Sequence, residues 1–205
     1  MPKKCAEILN FWFGQNFHHG LPDKSQQARW FSFDPQTDEL IRNCFSEDIE
    51  AAANGDYAHW CSEPSGRLAV IILLDQFSRN IYRGTAQAFA YDEQAVELVL
   101  EGLKLGHDQQ LIAAHRIFFY MPLEHSESLA HQKRCLALFQ QMYKECNPAI
   151  ASTIKSNLAY AQQHLDIIER FGRFPHRNAA LGRESTPQEL AYLQHTSNDF
   201  GQNAK

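Results

Sequence analysis

The stretch SGRLAVIILLDQFSRNIYRG, residues 65–84, decides the fold. At 100° per residue, Leu68, Ile71, Ile72, Asp75, Arg79, Tyr82 and Arg83 fall on one side of a helix. Val70, Leu73, Leu74, Phe77 and Ile81 occupy the other. A helix that is apolar on both faces through its first half belongs at the centre of a core. Asp75 and Arg79 interrupt one of those faces at i,i+4, the spacing at which a carboxylate and a guanidinium meet. A charge on a buried face needs a partner, because burying it alone costs roughly several kcal/mol. Two compatible readings follow. The pair fixes the packing of neighbouring helices, or it floors a polar pocket with Asn80 and Arg83 nearer the rim.

Helix punctuation extends outward from this segment in both directions, whereas alternating strand patterns with two-residue hairpin turns do not recur. Helices are predicted over about 3–13, 22–30 and 35–55, the third capped by Asp34 with Pro35 at its first position. The central helix begins at Pro64 or Ser65. Thr85 then caps a helix closed by Gly106, and Asp108 starts another that Pro122 kinks or ends. Ser126 with Glu127 opens the next, Asn147-Pro148 opens a long one ending at Gly172, and STPQE at 185–189 carries a capping box for the last. The class is all-α, with about nine helices on short links. They form stacked antiparallel helical hairpins or, alternatively, a closed helical bundle. A chain of 205 residues reads as a single domain over 1–205, with 184–205 as a short C-terminal helix and mobile tail.

The formal charge of −5 gives no general pull toward nucleic acid or anionic membrane, so an anion site must be built locally. The longest apolar run, LAVIILL at 68–74, is far shorter than a membrane span. Cys5, Cys44, Cys61, Cys135 and Cys146 are odd in number and irregularly spaced. That argues against a disulfide framework or a structural zinc site and for the cytoplasm.

Polar residues interrupt the helices at three further places. Glu124 and His125, in FFYMPLEHSE at 118–127, suit a general acid/base pair, although neighbours on a helix point about 100° apart. A capping turn with a satisfied histidine is the plainer reading. Asn157 and His164 break the core stripe of the long helix, Ile150, Ile154, Ala161, Leu165, Ile168 and Phe171. A histidine on such a stripe is more often a hydrogen-bonded core residue than a ligand. Finally, FGRFPHRN at 171–178 ends that helix. Gly172 and Pro175 stop it and Phe171 and Phe174 anchor the turn. Glu169–Arg173 and Asp166–Arg170 are i,i+4 surface pairs. His176, Arg177 and Asn178 are left over. They either face the Asp75–Arg79 helix across a pocket or tie down a turn.

The segments LAVIILLDQFSRNIYRGTAQAFAYD, FFYMPLEHSE and HLDIIERFGRFPHRNAALGRESTPQE, with an early ILNFWFG, resemble the bacterial domain-of-unknown-function 924 family across nearly the whole chain. The resemblance implies an all-α fold of the tetratricopeptide-like superfamily and supplies no activity. Other signatures fail. His107-Asp108 sits at a helix start, Arg67 stands where an all-α acid phosphatase needs histidine, and Cys61 lies two residues from His59, on a different face. No Glu-x-x-His run, nucleophile elbow or phosphate-binding glycine loop is present. No cofactor or metal is therefore expected. The arginines Arg79, Arg83, Arg173, Arg177 and Arg183 in an acidic chain suggest a pocket for a small anionic molecule or a peptide. The alternative is a hydrolase of a small phosphorylated or acyl substrate using His125 or His164. Oligomeric state is left open.

Overall fold

The computed structural model describes residues 2–31 and 33–195. Its α-helices are α1 (Lys3–Phe13), α2 (Lys24–Phe31), α3 (Pro35–Ala53), α4 (Pro64–Ile71), α5 (Ser78–Ile81), α6 (Asp92–Lys104), α7 (Ala113–His125), α8 (Leu129–Glu145), α9 (Ala151–Phe171) and α10 (Pro187–His195). A π-helical turn, Ile72–Phe77, joins α4 to α5. Counting that rod once, the described residues form nine helices. The fold is all-α, as the helical periodicity predicts.

The rod from α4 to α5 is the axis of the molecule. Residues 66–79 are buried without a break, and α4 and the π turn pack against α1, α3, α6 and α7. Phe77 shows how tightly: it is fully buried and meets Phe11, Trp12 and Phe45 with ring centroids 5.7, 5.6 and 4.9 Å away. Around it one apolar cluster runs from Cys5 to Ala161. Helices α7, α8 and α9 pack each against the next, and α7 also touches α9. Links of a few residues require such neighbours to run in roughly opposite directions.

Several caps form as expected. The Asp34 carboxylate accepts from Gln36 N at 3.1 Å. The Thr186/Glu189 box closes both ways, Thr186 N to Glu189 Oε2 at 2.7 Å and Glu189 N to Thr186 Oγ1 at 3.2 Å. Gly172 ends α9 in the left-handed region, φ 69°. Other expectations are corrected. Thr85 does not cap a helix: its hydroxyl donates to Tyr82 O, a 3-10 turn (Ala86–Phe89) intervenes, and α6 starts only at Asp92. Asp108 begins a 3-10 turn, and α7 starts at Ala113 and runs through Pro122 to His125. The chain also has a hairpin, Phe17–His18 against Leu21–Pro22. Its two turn residues, His19 and Gly20, both have positive φ, 51° and 86°. The expected tail beyond α10 lies outside the described residues.

Arg67 is almost wholly buried and donates to Leu98 O, Cys61 O and Glu101 and to His107 Nδ1 at 3.3 Å. The five cysteines are free thiols.

Candidate active site

The π turn sets the site. A wider turn adds backbone per revolution, so residues beyond it rotate away from the positions that 3.6 residues per turn assign. Asp75 lies inside that turn with no exposed surface. Its carboxylate accepts from Arg79 Nη1 at 3.0 Å, from Gln76 Nε2 at 2.6 Å, and from His125 Nδ1 at 2.8 and 3.0 Å on its two oxygens. Burial alone would raise the Asp75 carboxyl, but Arg79 and His125 outweigh it and hold the group well below the usual carboxylate range.

Two further elements close the cluster. Asp92, at the first position of α6, meets Arg79 Nη2 at 2.8 and 2.9 Å and Arg177 Nη1 at 3.0 Å. Arg177, in the 3-10 turn Pro175–Arg177 after α9, also donates from Nη2 to the carbonyl of His125 at 2.8 Å. Its guanidinium is sandwiched between Phe89 and Phe174, with ring centroids 4.5 and 4.6 Å away. Burial lowers Arg177 to about 10, against the attraction of Asp92.

Glu124 and His125 diverge, as adjacent residues on a helix must, yet both serve this region. Glu124 turns to α9, with Oε1 3.3 Å from His164 Nδ1, which also lies 2.9 Å from Tyr160 O. The two imidazole centroids are 6.3 Å apart. Burial, reinforced by Asp75, raises Glu124 to about 8, so it is mostly protonated at neutral pH. Burial drops His164 to about 3 and keeps it neutral. His125 is lowered by burial, which the attraction of Asp75 only partly offsets, so its neutral form is favoured at neutral pH. With its Nδ1 hydrogen on Asp75, its Nε2 is left with a lone pair. The His125 side chain keeps 18% of its surface open while Asp75 has none. Together these groups make an orienting carboxylate behind a partly exposed histidine, whose second ring nitrogen can take and return a proton.

Of the residues the sequence singled out, Asp75, Arg79, Glu124, His125, His164 and Arg177 come together. His176 lies alongside, its ring 5.5 Å from Phe174, and burial lowers it to about 3. The rest serve elsewhere. Asn80 and Arg83 both bind Asp38 of α3. Asn157 donates back to Thr153 O within its own helix. Arg173 is not paired with Glu169 but forks onto Glu189 at 2.7 and 2.9 Å, and Asn178 donates to Ser185 Oγ. Arg183 forks onto Glu127, which also accepts from Phe174 N. The expected Asp166–Arg170 pair is likewise replaced: Asp166 accepts from Gln162, and Arg170 lies over Phe171. Asp92 and Phe89 went unmarked, although both stand in AFAYD, a segment that carries the family resemblance. Cys61 is buried with a raised thiol, an inert environment. Among the described residues no group of three or more His, Cys, Asp or Glu side chains is arranged to hold a metal ion.

Fold and site thus define an all-α protein with a buried ion network behind a partly exposed histidine. Residues 8–197 match the family described as bacterial protein of unknown function (DUF924), and the chain belongs to that family. A solved structure of a protein of unknown function from Agrobacterium tumefaciens is similar, with a TM-score of 0.80 and 36% identity over 94% of this chain and 98% of that one. No curated protein matches. No helix among the described residues is long and apolar enough to cross a membrane.

Proposed function

We propose that the chain is a hydrolase of a small acyl or phosphorylated substrate, with His125 as general base and Asp75 as the group that orients it. One observation carries the reading. His125 Nδ1 is held by both Asp75 oxygens at 2.8 and 3.0 Å, and the His125 side chain is partly exposed while the carboxylate is not. That arrangement fixes the tautomer and stabilises the imidazolium formed when a proton is taken. The π turn supports it further, since such turns recur at functional sites. Consecutive packing of α6 to α9 supports the tetratricopeptide-like stack that the family resemblance implies. Five free thiols support the cytoplasm as its compartment.

Profiling on generic esterase, phosphatase and amidase substrates tests the proposal. The wild type should turn over one class, and His125→Ala should lose that activity. Equal rates for the wild type and a His125→Ala, His164→Ala double variant would overturn it.

The second reading is binding of a peptide or small anion without turnover. It draws on the same arginines, but Arg79, Arg83, Arg173, Arg177 and Arg183 each already face a carboxylate. Thermal stabilisation by phosphorylated or carboxylated compounds, lost in Arg79→Ala, would favour it.

A further inference from the structure

Charge balance and an uncommitted donor on the arginine tied to His125 select between the two substrate classes of that proposal, on which this inference rests. In the centre of the cluster Asp75 and Asp92 face Arg79 and Arg177, two against two. Around it Arg83, Arg173 and Arg183 are spent on Asp38, Glu189 and Glu127. A phosphate ester brings up to two negative charges and needs cations that are still free. None of these five guanidiniums is. An acyl group arrives neutral and develops a single negative charge, on one oxygen, in its tetrahedral intermediate.

Two guanidinium N–H groups, Arg177 Nε and Arg183 Nε, are buried without a partner among the described residues, and of the two Arg177 is the one tied to His125. Arg177 is 6% exposed, and its Nε–H is buried without a hydrogen-bond partner among the described residues. Its neighbour on the same guanidinium, Nη2, is tied to the carbonyl of His125 at 2.8 Å. The Phe89 and Phe174 rings on the two faces keep the guanidinium from turning. A rigid, buried, unsatisfied donor anchored to the base residue is preorganised for charge that appears only during reaction.

We infer that the substrate is a small carboxylic ester, thioester or amide, and that Arg177 Nε–H is the donor to its oxyanion. His125 Nε2 takes a proton from water as the water oxygen bonds to the carbonyl carbon. The carbonyl π electrons move onto oxygen, where Arg177 Nε–H donates to them. Collapse breaks the bond to the leaving group, which takes the proton back from His125, and the acid is released.

The test uses the full chain with p-nitrophenyl acetate and p-nitrophenyl phosphate. The acetate should be hydrolysed and the phosphate should not. Arg177→Lys keeps a positive charge beside Asp92 but removes the Nε–H. It should lower kcat on the acetate by about 100-fold, with KM and the pH profile little changed. Preference for the phosphate, or wild-type kcat in Arg177→Lys, overturns the inference and leaves the His125 proposal standing. Turnover of neither substrate class, thioesters and anilides included, sinks both. A measurement on the wild type covers the case of a variant that does not fold. The Arg177 Nε–H resonance should shift on titration with ethyl methylphosphonate, a tetrahedral monoanion, and an unmoved resonance overturns the inference.

Discussion

Asp75 has no exposed surface and three side-chain donors, so its charge is the one the cluster can least lose. Asp75→Asn leaves Arg79 with Asp92 as its one carboxylate partner and deprives His125 of its anionic anchor. A loss of about 3–5 kcal/mol is expected in urea denaturation, and a change near zero would contradict the pairing. Glu124 is the opposite case, a buried carboxyl raised to about 8. The folded state keeps a proton that the unfolded chain releases near 4.5, so the contribution is full below that pH and is lost as pH rises through about 8. Glu124→Gln should therefore match the wild type near pH 5 and exceed it at pH 9, measured by urea titration at both. The Asp75–Arg79 contact was legible, because i,i+4 spacing on a buried face leaves few alternatives. Spacing did not fix the partners beyond that pair, although Arg177 stood among the residues that could face it. His125 is fifty residues away, Arg177 joins through Asp92, and Asp92 looks in sequence like any acidic residue in the first turn of a helix.

At the scale of elements, periodicity and caps located most helices to within a few residues, since burial stripes and N-caps are local properties. The π turn escaped. It arises where a rod buried on all sides must satisfy neighbours on several helices at once, and no residue type demands it. Fixed 100° steps therefore misassign the residues beyond it, and Asn80 and Arg83 went to α3 instead of the pocket rim. Pro122 likewise failed to stop α7, since packing against α4, α6, α8 and α9 overrides one missing hydrogen bond. Two substitutions probe the elements. A β-carbon at Gly66 would collide with the Trp60 carbonyl at the start of α4, so Gly66→Ala should cost about 1–3 kcal/mol by overpacking. Glu189→Ala removes both the α10 capping box and the Arg173 fork. It should free α10 first, visible as faster amide exchange in 187–195 with the exchange of α4 unchanged.

Across the whole molecule, burial lowers His115 to about 4 and His164 and His176 to about 3. Their neutral forms are built into the fold, while the unfolded chain binds protons from about 6.5 downward. Stability should therefore fall as pH drops from about 6.5 toward 3. His115 lies against Phe13, away from the site, so His115→Phe should make that acid limb shallower in thermal melts. Composition and helix spacing made the all-α class legible, and the family motifs pointed to the segments that meet. The chemistry needed the assembled molecule, because the decisive feature is which histidine stays partly exposed in front of a buried carboxylate. The most direct test is the pH dependence of kcat/KM on an acyl ester, for the wild type and His125→Gln. The wild-type rate should rise with pH through one ionisation below 6.5 and then level off. His125→Gln should lose that ionisation and at least about 100-fold in rate. A His125→Gln profile that overlays the wild type would contradict the role given to the Asp75–His125 pair.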